Sequence, residues 1–202
     1  HYPSMQSRAE NYTVIIIGDT STGKTAILER FLKNPDATNN SPTIGANIAS
    51  SSIQIGDTAM QLTIYDTAGQ NQYRSTLPYY YHQAHGILLV FDLSNIESFT
   101  NLDEWKNDIE NNAGADVPIV LVGNKSDLEP TITKEDINNY LEKYKDTNHK
   151  ISYIETSALR GINITDAFHQ IAEAMLSTNQ EIINNQTHSV NLNTHEEPKS
   201  CC

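Results

Sequence analysis

The run Gly18-Asp19-Thr20-Ser21-Thr22-Gly23-Lys24-Thr25 spells G-x-x-x-x-G-K-[ST], and each residue type in it answers to a phosphate. The two glycines permit a tight backbone whose N–H groups converge on a β-phosphate at a helix N-terminus. Lys24 is spaced to reach the β- and γ-phosphates, and the Thr25 hydroxyl to ligate Mg²⁺. Asp19, Thr20, Ser21 and Thr22 form the body of the loop, and Ala26 follows in the first helical turn. An ordinary strand-to-helix turn is the plain alternative. Against it stand an apolar run immediately before the loop and a helical pattern immediately after, the context that phosphate binding requires.

A second constellation lies a hundred residues on. Asn124-Lys125-Ser126-Asp127 follows the apolar run ending in Val120-Leu121-Val122-Gly123. An aspartate placed as Asp127 can accept two hydrogen bonds from guanine N1–H and the 2-amino group. Adenine offers no such donor pair and would leave the carboxylate unpaired, which penalises it. Lys125 can lay its aliphatic stem over the base, and Asn124 can tie this loop to the phosphate loop. Alone, N-K-x-D occurs in many solvated loops; its weight comes from the phosphate loop upstream.

The third constellation is Asp66-Thr67-Ala68-Gly69-Gln70. Asp66 ends an alternating run and suits a water-mediated Mg²⁺ contact, Gly69 can bring its N–H to a γ-phosphate because no Cβ blocks the approach, and Gln70 can orient an attacking water. The plain readings are a helix cap for Asp66 and a solvated loop side chain for Gln70.

These loops need elements to hold them. Short apolar runs at residues 12–17, 86–91 and 119–122, with a lesser one at 152–155, read as buried strands. Residues 48–55 and 60–65 alternate around Gly56-Asp57, a hairpin signature. Amphipathic stretches at 23–31, 96–111, 133–145 and 164–176 read as helices. Helices interleaved with apolar strands predict an α/β fold: a six-stranded, mostly parallel sheet with one antiparallel hairpin strand and helices on both faces. Residues 1–10 precede it as an extension whose first four residues stand before the first Met. Residues 11–177 form the folded domain. After Ser177 the apolar period stops, and residues 178–202 are expected to be a disordered tail ending in Cys201-Cys202.

With 202 residues and a net charge of −12, the chain is long enough for one full core and too acidic for general nucleic-acid binding or attraction to anionic lipid. No apolar run approaches the ~20 residues that span a bilayer, and no secretory leader pattern opens the chain. Both cysteines are adjacent, so no disulfide framework exists. A cytoplasmic location is the expectation. Cys201-Cys202 is either an accidental feature of a polar tail or a lipid-attachment site.

Taken in order, the phosphate loop, Thr43, Asp66 to Gln70, Asn124 to Asp127 and Thr156-Ser157-Ala158 resemble the Ras superfamily of small GTPases, over roughly residues 11–177. The Pro42-Thr43-Ile44-Gly45 segment, Tyr65-Asp66-Thr67-Ala68-Gly69-Gln70, the Tyr80-Tyr81 region and the Cys-Cys end are most similar to the Rab family. The resemblance implies a GTP/GDP switch in vesicular membrane traffic, with Thr43 closing over Mg²⁺ and the γ-phosphate. It implies that Ser157, Ala158 and Leu159 border the base, with the Ala158 N–H facing guanine O6. It also implies geranylgeranyl groups on Cys201 and Cys202, added with an escort protein. The chain would then cycle to the cytoplasmic face of an endomembrane. Implied partners are effectors at Ile48, Tyr65, Tyr80 and the switch loops, an exchange factor, an activating protein and a GDP-dissociation inhibitor.

The chain departs from the family pattern in four ways. Thr20 replaces a small loop residue, which predicts slow intrinsic hydrolysis. Asp36 stands where an aromatic stacks on guanine, a loss of ~1–3 kcal/mol. Ile48 and Tyr65 alter the effector aromatics, and Leu159 replaces a lysine beside the base. These departures keep a second reading open: a hydrolysis-impaired, lipid-anchored binding module.

Overall fold

The computed structural model describes residues 10–33, 41–42, 48–67 and 77–192; for 41–42 and 186–192 it describes the backbone alone. Strand β1 (Glu10–Ile17) forms where Val14, Ile15, Ile16 and Ile17 are consecutive apolar, mostly β-branched residues, all of them fully buried. Such a run needs a cover on both faces, and it has one. Val14 and Ile16 point to the layer holding Ile27 and Phe31 of α1 (Lys24–Leu32) and Phe168, Ile171 and Met175 of α6 (Ile164–Leu192). Ile15 and Ile17 point to the opposite layer. That layer contains Leu77 and Tyr81 of α2 (Leu77–Gln83), Leu102, Trp105 and Ile109 of α4 (Leu102–Asn112), and Ile137 of α5 (Lys134–Lys143).

The remaining strands are a two-residue β2 (Ser41–Pro42), β3 (Ile48–Ile55), β4 (Thr58–Asp66), β5 (Gly86–Asp92), β6 (Ile119–Asn124) and β7 (Ile151–Glu155). They lie in the order β2-β3-β4-β1-β5-β6-β7. Strands β4, β1, β5, β6 and β7 run parallel, and β3 pairs antiparallel with β4 through the Gly56-Asp57 turn, where Gly56 has φ 56°. This is the expected six-strand sheet with a short edge strand, β2, added against β3. The order reverses about β1, so the carboxyl ends of β1, β4, β5 and β6 open on one crevice, where α/β sheets place ligands.

Three elements differ from the sequence expectation. Helix α2 falls where no helix is predicted. The stretch predicted as one helix from residue 96 is two, α3 (Ile96–Thr100) and α4, broken at Asn101. The last helix does not stop near Ser177. It runs to Leu192, and its extension is held by Lys150 Nζ to Glu181 Oε1 at 2.7 Å and Asn179 Nδ2 to the Tyr12 hydroxyl at 3.2 Å. Ile182 and Ile183 on it are exposed, so no apolar period marks this segment. Among the described residues no helix is long and apolar enough to cross a membrane.

Candidate functional site

The phosphate loop begins where β1 ends. Gly18 has φ 138°, and a Cβ there would lie 2.1 Å from the Val90 carbonyl oxygen of β5. Gly23 has φ 101°, and a Cβ there would lie 2.2 Å from Asn124 Nδ2. Both glycines are therefore demanded by close approach as well as by backbone conformation. Between them the Asp19 carbonyl accepts hydrogen bonds from the Thr22 hydroxyl (2.9 Å) and from Lys24 Nζ (2.6 Å). Lys24 is only 6% exposed. Burial pushes its ammonium down to about 8, against the opposing pull of the Asp66 and Asp19 carboxylates. A buried lysine curled over a loop that can present N–H groups is a site for anionic oxygen.

Asp66, at the end of β4, meets this loop. Its Oδ2 accepts from the Thr25 hydroxyl at 2.6 Å, while its buried Oδ1 has no hydrogen-bond partner among the described residues. Burial raises its pKa, and the Thr25 hydrogen bond and Lys24 charge work the other way. An orphaned buried carboxylate oxygen beside a threonine hydroxyl is a hard-oxygen donor set, so these residues fit Mg²⁺. Thr67 fixes the exit from β4, donating from its N–H (3.2 Å) and hydroxyl (2.7 Å) to the Ile16 carbonyl.

Asn124, at the end of β6, joins three loops. Its Nδ2 donates to the Thr22 carbonyl (2.9 Å), and its Oδ1 accepts from the Thr156 hydroxyl (3.0 Å) and the Ala158 N–H (3.2 Å). This is the tie between the base loop and the phosphate loop expected from sequence. Lys125 follows at φ 63° with Nζ 2.7 Å from Asp92 Oδ2. Burial of Asp92 raises its pKa, but the bonds from Lys125 and Ser94 outweigh that and hold it below the usual carboxylate range. Asp127 Oδ1 accepts from the Ser157 hydroxyl at 2.5 Å. A cavity of about 490 Å³ opens between Gly23 and Ala26 on one side and Lys125, Asp127, Ala158 and Leu159 on the other.

Gly23, Ala26, Asn124, Lys125, Asp127, Ala158 and Leu159 thus line one cavity, and hydrogen bonds tie Asp19, Thr22, Lys24, Thr25, Asp66 and Ser157 into the same set of loops. Thr20 is exposed on the loop and Leu159 is 76% exposed. Ile48 pairs with Tyr65 across β3 and β4, and the Tyr65 and Tyr80 rings lie 5.0 Å apart, so the three expected effector residues form one patch. Thr43, Gly69, Gln70, Asp36, Cys201 and Cys202 lie outside the described residues.

Two contributors escaped the sequence reading. Asp92 stands at a strand's carboxyl end beside the site, the same signal that marked Asp66. Arg30 of α1 donates from Nε to the Ala158 carbonyl (2.9 Å) and from Nη2 to the Leu159 carbonyl (2.5 Å), clamping the base loop from 128 positions away. No local pattern marks such a contact.

The sheet order, the glycine-bounded loop after β1 and the helices on both faces make this the α/β fold of the small GTPases. The Ras family model matches residues 13–177, and the chain belongs to the Ras family. It is Rab-like within it. It is 39% identical over 169 residues to a probable Ras-related protein Rab-4A of Echinococcus multilocularis, covering 82% of this chain and 74% of that one. It is 34% identical to the Ras-related protein RABA2a of Arabidopsis thaliana, over 92% of this chain and 84% of the relative. It is 32% identical to the Ras-related protein Rab-11A of Dictyostelium discoideum, over 95% and 94%. Ras-family proteins are in general GTPases that use GTP, GDP and Mg²⁺.

Proposed function

We propose that this chain binds guanine nucleotide with Mg²⁺, hydrolyses GTP slowly unless an activating protein assists, and alternates between GTP and GDP states that effectors distinguish in vesicular membrane traffic. The observation that carries the reading is Asn124, whose one amide ties the phosphate loop at Thr22 to the base loop at Ala158. In the proposed complex the loop N–H groups and Lys24 bind the phosphates. The Thr25 hydroxyl, Asp66 and Thr43 would hold Mg²⁺, which would supply positive charge to neutralise the phosphates. Asp127 releases Ser157 partly to accept the guanine N1–H and 2-amino hydrogens, Lys125 covers the base, and Gln70 orients the attacking water. Thr43 and Gly69 order around the γ-phosphate, and hydrolysis frees them. Cys201 and Cys202 carry prenyl groups that bring the protein to an endomembrane from the cytoplasm. An exchange factor, an activating protein, a prenylation escort and a GDP-dissociation inhibitor complete the cycle.

The test is to identify the nucleotide on freshly purified protein and follow its fate with Mg²⁺ over hours. GTP converting to GDP supports the switch, and conversion abolished by Gln70→Leu supports the residue assignment. GTP left intact supports a binding module instead. An adenine nucleotide, or an Asp127→Ala variant that holds guanine as tightly as the wild type, sinks the base-reading assignment.

A further inference from the structure

Asp19 puts a negative charge at the mouth of a loop that must receive several others. That charge acts on Lys24, the residue the phosphates need. The carboxylate is held instead by two neutral donors. Asp19 Oδ1 accepts from the Trp105 indole N–H at 2.7 Å, and Oδ2 accepts from Asn101 Nδ2 at 2.7 Å, the donors lying 86 and 82 positions away in sequence. Both donors are neutral, so they satisfy the carboxylate without competing for a cation, and hydrogen bonds to a charged acceptor are stronger than neutral ones. Only the Asp19 main-chain carbonyl, and not its carboxylate, takes the Lys24 ammonium.

Asn101 supports this from a different direction. It sits at the N-cap of α4, where asparagine ordinarily accepts from the helix's own first-turn N–H groups. Here it makes no side-chain cap bond and has αR backbone angles. Its amide is spent on the phosphate loop instead, at the break between α3 and α4. Trp105, one helical turn on, is 2% exposed and is the single tryptophan of the chain.

We propose that Asn101 and Trp105 are positioning residues that latch the Asp19 carboxylate outward, keeping Lys24 available to phosphate and coupling α4 to the phosphate loop. This rests on the nucleotide-binding reading and adds a role for residues outside all the loop motifs.

The experiment measures release of a fluorescent GDP from full-length wild type, Asn101→Ala, Trp105→Phe, Asp19→Ala and the two doubles that combine Asp19→Ala with each donor variant. Loss of either donor is expected to speed release by about tenfold while Asp19 is present, and by less than about twofold once Asp19 is alanine. A merely structural defect would slow or speed release equally in both backgrounds, which overturns the latch. Wild-type release rates for both donor variants overturn it as well. Tryptophan emission gives a second readout: Asn101→Ala and Asp19→Ala both keep Trp105, and Asp19→Ala is expected to shift its emission. Should Trp105→Phe fail to fold, the half-buried Asn101 pair carries the test. A wild type that takes up no guanine nucleotide overturns the function reading and the latch together, whereas uptake with uncoupled variants overturns the latch alone.

Discussion

Lys24 has a low pKa because burial disfavours its ammonium more than Asp66 and Asp19 stabilise it. Phosphate oxygens arriving in the cradle reverse that balance, so nucleotide binding must take up a proton near pH 8. Calorimetric titration with GDP at that pH, in buffers of differing ionisation enthalpy, should show uptake of about half a proton. An enthalpy independent of buffer would refute the assignment of Lys24 to the phosphates. The same shift has a stability consequence with a definite sign. Between about 8 and the ordinary lysine value of 10.5 the unfolded chain binds more protons at this residue than the folded one. The nucleotide-free protein should therefore gain stability from Lys24 as pH rises through that window. Gly18 offers a purely steric prediction. At φ 138°, with a Cβ aimed at 2.1 Å from the Val90 carbonyl, Gly18→Ala must strain the loop and push β5. A loss of more than ~2 kcal/mol in urea unfolding is expected, and an unchanged midpoint would mean that the loop can retreat.

Helix α5 shows what an element owes to its cap. Thr133 Oγ1 accepts from the Asp136 N–H at 3.1 Å, and Asp136 Oδ2 accepts from the Thr133 N–H at 2.9 Å, a reciprocal capping box. Thr133→Ala should cost ~1 kcal/mol in chemical denaturation while leaving GDP release at the wild-type rate, since α5 contributes nothing to the crevice. Strands β1, β5 and β6 announce themselves because both their faces are buried, which forces unbroken apolar runs. Helix α2 is silent because seven residues bury only Leu77 and Tyr81, one repeat of the helical period, with Pro78 among them. The break at Asn101 is silent too, and the amide there bonds to Asp19, 82 positions away, a contact no local pattern marks. The last helix outran its apolar stripe. The contacts given for its extension include polar ones, such as Lys150 to Glu181, which leave no period in the sequence. The site divides along the same line. The loops whose backbones must bend around a ligand are written as local motifs. Arg30, Trp105 and Asn101 act by reaching across the fold, and only the fold reveals them.

At the scale of the molecule, the crevice is assembled from the ends of β1, β4 and β6 and the loop after β7, so it exists only when the whole sheet does. The sheet in turn depends on both layers: Phe168 of α6 stacks on Phe31 of α1 with centroids 3.8 Å apart, the helix that carries the phosphate loop. A ligand held by all these ends binds the folded chain alone and must stabilise it by mass action. At a hundredfold excess over Kd, GDP with Mg²⁺ should add ~2.7 kcal/mol, which for a domain of this size raises Tm by about 5–10 °C. The cation's share can be separated. The orphaned Asp66 oxygen and the Thr25 hydroxyl are the metal donors the described residues supply. Chelation with EDTA should therefore remove much of the GDP-induced rise in the wild type and little of what remains in Asp66→Asn. Equal sensitivity to EDTA in both proteins would place the metal elsewhere. A rise that survives chelation undiminished in the wild type would mean that phosphate and base contacts alone hold the nucleotide, leaving the buried Asp66 oxygen in need of another partner.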